Sequence, residues 1–151
     1  MIREATYDDL PALIELGRAM HAESPNWSPW RFDAERLRVT LAGLVDAPHG
    51  CLLVAESADG LTGGMVAVAA RHWCCDVLQA TDLALFVDPE HRGGTTAARL
   101  VRAYLAWCAS RGAVPMAGVS TGVNAERTQA LFQALGARPL GTTWIWEASN
   151  V

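Results

Sequence analysis

The chain has 151 residues, of which 51% are hydrophobic and 19% charged, with a formal net charge of -4. This length buries a core without disulfides and predicts one domain over residues 1–151, with the composition of a soluble globular protein. The acidic balance, the lack of lysine and the scatter of the arginines argue against nucleic acid as a partner, because binding a phosphate backbone needs clustered cations.

No apolar run approaches the roughly 18 residues of a membrane span. Met1-Ile2-Arg3-Glu4 opens no signal peptide, so the expectation is a cytoplasmic chain with no membrane partner. Cys51, Cys74, Cys75 and Cys108 show neither a CxxC nor a Cys/His zinc spacing. They read as reduced, packed thiols, and no metal is expected. Placed in a strand, Cys74 and Cys75 would project to opposite faces, which argues against shared metal ligation.

In chain order, Met1 to Thr6 predicts a first or edge strand, and Thr6-Tyr7-Asp8-Asp9 has the form of a helix cap. Leu10, Leu13, Ile14, Gly17 and Met20 then recur at helical spacing. Ser24-Pro25-Asn26-Trp27-Ser28-Pro29 breaks that helix, and Asp33 is placed to cap a second one with Leu37, Leu41, Leu44 and Val45 on its apolar face. Cys51 to Ser57 predicts a strand, Asp59-Gly60 a turn, and Met65 to Ala70 the hairpin partner, with the pairing extending toward Cys75. Gln79 to Val87 is the next strand.

Ala97, Leu100, Val101, Tyr104, Leu105 and Cys108 mark a half-buried helix that Gly112 terminates. Val114 to Ser120 then predicts a strand, Asn124 to Leu135 a helix ended by Gly136, and Leu140 to Glu147 a closing strand. Trp144 and Trp146 share one face of that strand and are candidates for core or for a homodimer surface. The order β-α-α-β-β-β-α-β-α-β predicts an α/β fold, a mixed and mostly antiparallel sheet with helices on both faces.

Asp82-Leu83-Ala84-Leu85-Phe86-Val87-Asp88-Pro89-Glu90-His91-Arg92-Gly93-Gly94-Thr95-Thr96-Ala97 joins a strand to the long helix through a proline turn and a basic, glycine-containing loop. The N–H groups that open a helix lack intrahelical partners and carry the positive end of its dipole, so such a loop is an anion cradle in outline. The alternative is structural: Gly93-Gly94 permits a tight turn and close packing of the helix.

On these residues the chain resembles the GCN5-related N-acetyltransferase (GNAT) superfamily. That signature is Arg or Gln, two residues, Gly, one residue, then Gly or Ala, and here it reads Arg92-Gly93-Gly94-Thr95-Thr96-Ala97, with Thr95 where the first glycine is usual. The segment from Asn124 to Ala137 resembles the one after the family's fifth strand, with Phe132 where many members carry a thiolate-protonating tyrosine. His21-Ala22-Glu23-Ser24-Pro25 is similar to the first-helix exit of a bacterial and phage-encoded subgroup.

The resemblance implies acetyl-CoA as co-substrate and an amine of a small molecule or protein as acceptor, with direct attack in a ternary complex. It implies that the backbone of Leu85, Phe86 and Val87 pairs with the pantetheine arm and that the amides of Arg92, Gly93, Gly94, Thr95, Thr96 and Ala97 hold the pyrophosphate, with Asn124 and Phe132 also at the cofactor. Candidates for the base that deprotonates the amine are Glu23 and Asp82, ahead of His21 and His72, beside a pocket bordered by Trp27 and Trp30. Each has a plain alternative: a strand-entry residue for Asp82, a solvated helix end for Glu23, a helix N-cap for Asn124, loop anchors for the tryptophans. Tyr104 and Tyr7, the available phenols, read as structural. A second functional reading is a non-catalytic acyl-CoA-binding or interaction module, favoured by Phe132 and Thr95.

Overall fold

The computed structural model describes residues 1–146. Its elements in chain order are β1 (Ile2–Glu4), α1 (Leu10–Glu23), α2 (Ala34–Val45), β2 (Gly50–Ser57), β3 (Gly60–Arg71), β4 (Leu78–Val87), α3 (Thr96–Ser110), β5 (Val114–Met116) and α4 (Ala125–Ala134). The five strands form one sheet in sequence order, antiparallel except for the parallel pair β4 and β5.

Strand alternation divides the core in two. Cys51, Leu53 and Ala55 of β2 point to the face covered by α3, where they meet Met65, Ala67, Leu100, Tyr104 and Cys108. Leu52 and Val54 point the other way, into a cluster with Leu10, Leu13 and Leu41 from α1 and α2. Truncating a fully enclosed side chain such as Leu100 to alanine costs about 2–5 kcal/mol in cores of this kind. Burial pushes the Cys51 thiol up to about 12, which keeps it protonated and unreactive.

Local chemistry sets the helix ends. The Asp33 carboxylate accepts the Arg36 N–H at 2.9 Å and so caps α2. Before α1, Asp9 accepts from the Thr6 N–H at 2.8 Å and receives both arms of the Arg3 guanidinium at 2.7 and 2.9 Å. Arg3 also reaches Glu56 at 2.9 Å, which ties β1 to β2 and to the entry of α1.

Three expectations are corrected. β3 begins at Gly60, not Met65, and contains Gly63 and Gly64. A Cβ at Gly63 would lie 2.7 Å from the Phe86 carbonyl oxygen, so the glycine is required by the close approach of β4. Residues 72–77 leave the sheet as a turn, so Cys74 and Cys75 do not project to opposite faces of a strand; their sulfurs lie 3.7 Å apart. The expected strand Leu140 to Glu147 is not formed by its described residues. Positions 137–146 have no regular structure, Trp144, Ile145 and Trp146 are 76%, 71% and 72% exposed, and Glu147 lies outside the described residues.

Candidate active site

β4 and β5 pair only from Gln79 to Thr81 and from Val114 to Met116. Beyond that point β4 runs on to Val87 while the other strand has ended, so the two segments part and a wedge opens between them. Tyr104 of α3 bolts the apex: its buried hydroxyl lies 2.8 Å from the carbonyl oxygens of both Ala80 and Met116 and accepts the Met116 N–H at 3.3 Å. Burial, with Cys108 beside it, holds the phenol above its ordinary pKa, and the bond from the Met116 N–H opposes that shift only in part. The three backbone contacts assign Tyr104 a structural role.

Asp82 stands just past the apex. Its Oδ1 accepts the Gly118 N–H across the wedge at 2.8 Å. Burial raises its pKa above the usual carboxylate value, and the Gly118 bond opposes that shift only in part. Next to it the β3–β4 register slips: Ala67 faces Asp82 and Val66 faces Ala84, leaving Leu83 as the extra residue of a bulge. Leu83 opens onto the cavity.

At the far end of β4 the Arg92 Nε donates to the Val87 carbonyl at 2.8 Å. The other two guanidinium nitrogens fork onto Glu23, the last residue of α1, at 2.5 and 2.6 Å, and the guanidinium lies 5.2 Å from the centre of the Phe86 ring. The Arg92 hydrogen bonds hold the Glu23 pKa below its ordinary value, and the same contact raises that of Arg92. Both Glu23 oxygens are therefore occupied.

Helix α3 opens onto this end. Thr95 makes no side-chain cap, so the first-turn N–H groups have no intrahelical or capping partner there. Gly93 has φ +95°, a conformation that glycine adopts without strain, and a Cβ added at Gly94 would meet nothing within 4 Å. This open, donor-rich loop beside an arginine fits a pyrophosphate, and the exposed edge of β4 that leads to it fits an extended amide-bearing arm.

The roof is tied down from the other side. Ser24 donates to the Thr121 carbonyl at 2.6 Å and Asn26 to that of Ser120 at 2.7 Å. These bonds draw the α1–α2 connection over the segment that leaves β5. Together the walls enclose a cavity of about 220 Å³.

Of the sequence-predicted residues, Glu23, Asp82, Leu85, Phe86, Val87, Arg92, Gly93, Gly94, Thr96, Ala97 and Asn124 line this cavity. Thr95 and Phe132 are not among the lining residues; Phe132 is partly buried against the core beneath α3. Trp27 borders the cavity, whereas Trp30 is exposed and stands apart from it. His21 packs on Phe32 with ring centres 5.3 Å apart, and His72 lies in the β3–β4 turn. Asn124 adopts φ 48° and its side chain makes no cap bond, so the N-cap alternative is not realised through that side chain. Sequence reasoning missed Met20, Leu83, Arg127 and Thr128. The i, i+3, i+4 spacing of Asn124, Arg127 and Thr128 placed all three on one helix face, a signal that was available.

An open-edged wedge in a mostly antiparallel sheet, with an uncapped helix end at one extremity and a half-buried carboxylate at the other, is the geometry of an acyl-transfer fold. The chain belongs to the acetyltransferase (GNAT) family, whose pattern it matches over residues 16–137. No curated protein matches its sequence. Among solved structures it is similar to an aminoglycoside acetyltransferase from an uncultured soil metagenomic sample, with 20% identity, TM-score 0.73, and 98% of this chain and 97% of that one covered. It is also similar to AAC(6')-Iy in complex with the bisubstrate analogue CoA-S-monomethyl-acetylneamine, with 18% identity, TM-score 0.78, and 97% and 96% covered. A third is the ribosomal-protein-alanine N-acetyltransferase of Brucella melitensis biovar Abortus 2308, with 15% identity, TM-score 0.71, and 97% and 99% covered.

Proposed function

We propose that this chain, as one domain, transfers the acetyl group of acetyl-CoA to a primary amine by direct attack within a ternary complex. The observation that carries this reading is the wedge between β4 and the segment after β5, with an uncapped helix end at one extremity and Asp82 at the other. In this reading the wedge-facing backbone of Leu85 to Val87, apart from the Val87 carbonyl that Arg92 already engages, holds the pantetheine arm and the amides from Gly93 to Ala97 hold the pyrophosphate. Arg92 supplies charge, and Glu23 sets its position. Holding both reactants in one cleft removes much of the entropic barrier to a bimolecular attack.

Asp82 is the base in this proposal. Its raised pKa makes it a better proton acceptor than Glu23, whose two oxygens are already bound by Arg92. The amine enters beside Trp27 and is deprotonated as it attacks the thioester carbon. The thiolate departs without a tyrosine acid, since Phe132 carries no proton to give.

The test is release of free CoA across an amine panel that includes aminoglycosides and a peptide with N-terminal alanine, the classes named for the similar structures. Asp82→Asn is expected to lower kcat at neutral pH by about 10²-fold or more and to remove the acid limb of the pH profile. An unchanged profile from pH 6 to 9 at saturating amine would remove Asp82 from the mechanism. A second reading, a non-catalytic acyl-CoA-binding module, is favoured by the closed Arg92–Glu23 pair and by Phe132 lying outside the cavity lining. It predicts thermal stabilisation by CoA with no CoA release for any amine.

A further inference from the structure

The turn between β3 and β4 carries chemistry that acetyl transfer does not use. His72, Cys74 and Cys75 converge there, with the imidazole nitrogen and both sulfurs within 4.8 Å of one another. The Cys74 sulfur lies 3.5 Å from His72 Nδ1 and 3.7 Å from the Cys75 sulfur. We propose that these three side chains form a binding site for a thiophilic cation of the Zn(II) class.

Two of the three ligand separations are those of a coordination polyhedron, and the third is within 4.8 Å. With thiolate bonds of about 2.3 Å and an imidazole bond of about 2.0–2.1 Å, a tetrahedral ion separates two sulfurs by about 3.8 Å and a sulfur from the nitrogen by about 3.5–3.6 Å. Both observed separations match before any ion is placed. In the ion-free turn the His72 Nδ1 lone pair accepts the Cys74 N–H at 3.3 Å, which assigns the ring proton to Nε2; a bound cation would take that lone pair in place of this long bond and leave the exposed Cys74 N–H to water.

The backbone holds the turn in this form. The His72 N–H donates to the Val77 carbonyl at 2.8 Å, the Val77 N–H donates to the Cys75 carbonyl at 2.8 Å, and an Arg71–Asp76 ion pair spans the neck. Neither thiol is consumed by packing: Cys74 and Cys75 are exposed, in contrast to Cys51 and Cys108 in the core. Trp73, between His72 and Cys74, is 89% exposed.

Two sulfurs and one imidazole select soft or borderline ions over magnesium and calcium, which take oxygen ligands. Binding displaces the two thiol protons to solvent and leaves both cysteines as thiolates with no change of oxidation state. Three protein ligands leave a fourth position open to water or to an exogenous ligand. None of the three residues borders the acetyl-transfer cavity, so the site is separate from it.

The experiment titrates the phosphine-reduced full chain with Co(II) and then displaces it with Zn(II). The expected result is one ion per chain, with thiolate-to-cobalt charge-transfer absorption that Zn(II) abolishes. Cys74→Ser with Cys75→Ser should eliminate the absorption, and His72→Ala should weaken binding, with the far-ultraviolet circular dichroism of each variant unchanged. Iodoacetamide followed by mass spectrometry gives an independent readout: both exposed cysteines are alkylated without the ion and protected with it. A cobalt spectrum without thiolate charge transfer, a stoichiometry of one ion per two chains, or alkylation unaffected by Zn(II) would each overturn the single-chain site.

Discussion

Replacing Tyr104 by phenylalanine removes one oxygen from the apex of the wedge and leaves the ring packing intact. The hydroxyl lies 2.8 Å from two carbonyl oxygens and 3.3 Å from the Met116 N–H, in a residue that is 1% exposed. One donor and one acceptor therefore lose their partner where water has little access. The cost of leaving such groups unpaired is about 1–3 kcal/mol. For a chain of this size that corresponds to a fall of roughly 2–12 °C in the unfolding midpoint, centred near 6 °C.

Urea unfolding followed by circular dichroism measures the loss directly, as a lower midpoint at unchanged slope. Turnover of the folded variant, measured well below its unfolding midpoint, should stay within about twofold of the parent, because the phenol binds the sheet and touches no substrate. A variant with parental stability and collapsed turnover would refute the reasoning and make Tyr104 the missing acid. A stability change under about 0.5 kcal/mol would refute the bolt itself.

The Arg3 hydrogen bonds hold Asp9 down at about 2, against an ordinary 3.8, so its stabilisation is present above the ordinary value and fades as pH falls through the folded one. Asp9→Asn should cost about 1–2 kcal/mol at neutral pH, discounted for the partly exposed Arg3, and should flatten the loss of urea midpoint between about pH 4 and pH 2. Gly93→Ala forces a side chain onto φ +95° and should destabilise by about 1 kcal/mol in thermal or urea melts. Gly94→Val meets open space, so it should leave the midpoint within about 0.5 kcal/mol of the parent while abolishing the thermal shift produced by CoA.

The elements with strong periodicity were legible in the sequence. The i, i+3, i+4 recurrence through Ala97, Leu100, Val101, Tyr104, Leu105 and Cys108 found α3, and the proline turn at Pro89 found the end of β4. The start of β3 was hidden because glycine is a poor strand former, and only the approach of Phe86 explains Gly63. The closing strand failed for a different reason: alternation at Trp144 and Trp146 expresses a propensity, but a strand also needs a partner, and residues 140–146 pair with none of the described strands. Within the site, the open loop before α3 could be read from Arg92-Gly93-Gly94, since it follows from local order. The grip of Arg92 on Glu23 and the slip at Leu83 depend on contacts between segments distant in the chain, and no local pattern announces them.

Ser24 meets Thr121 across 97 positions of chain, and Asn26 meets Ser120 across 94. Closing loops of that length carries a large entropic penalty unless the intervening chain is already organised, so these bonds can form only after the β2–β4 meander and α3 have brought their anchors together. The roof of the cavity is thus expected to assemble late in folding. Two hydrogen bonds at that junction make it a candidate for opening at a free energy below that of global unfolding, which native-state hydrogen exchange would measure. In the proposed reaction, an acceptor too large for the closed cavity would enter by parting these two bonds while the sheet beneath stays intact.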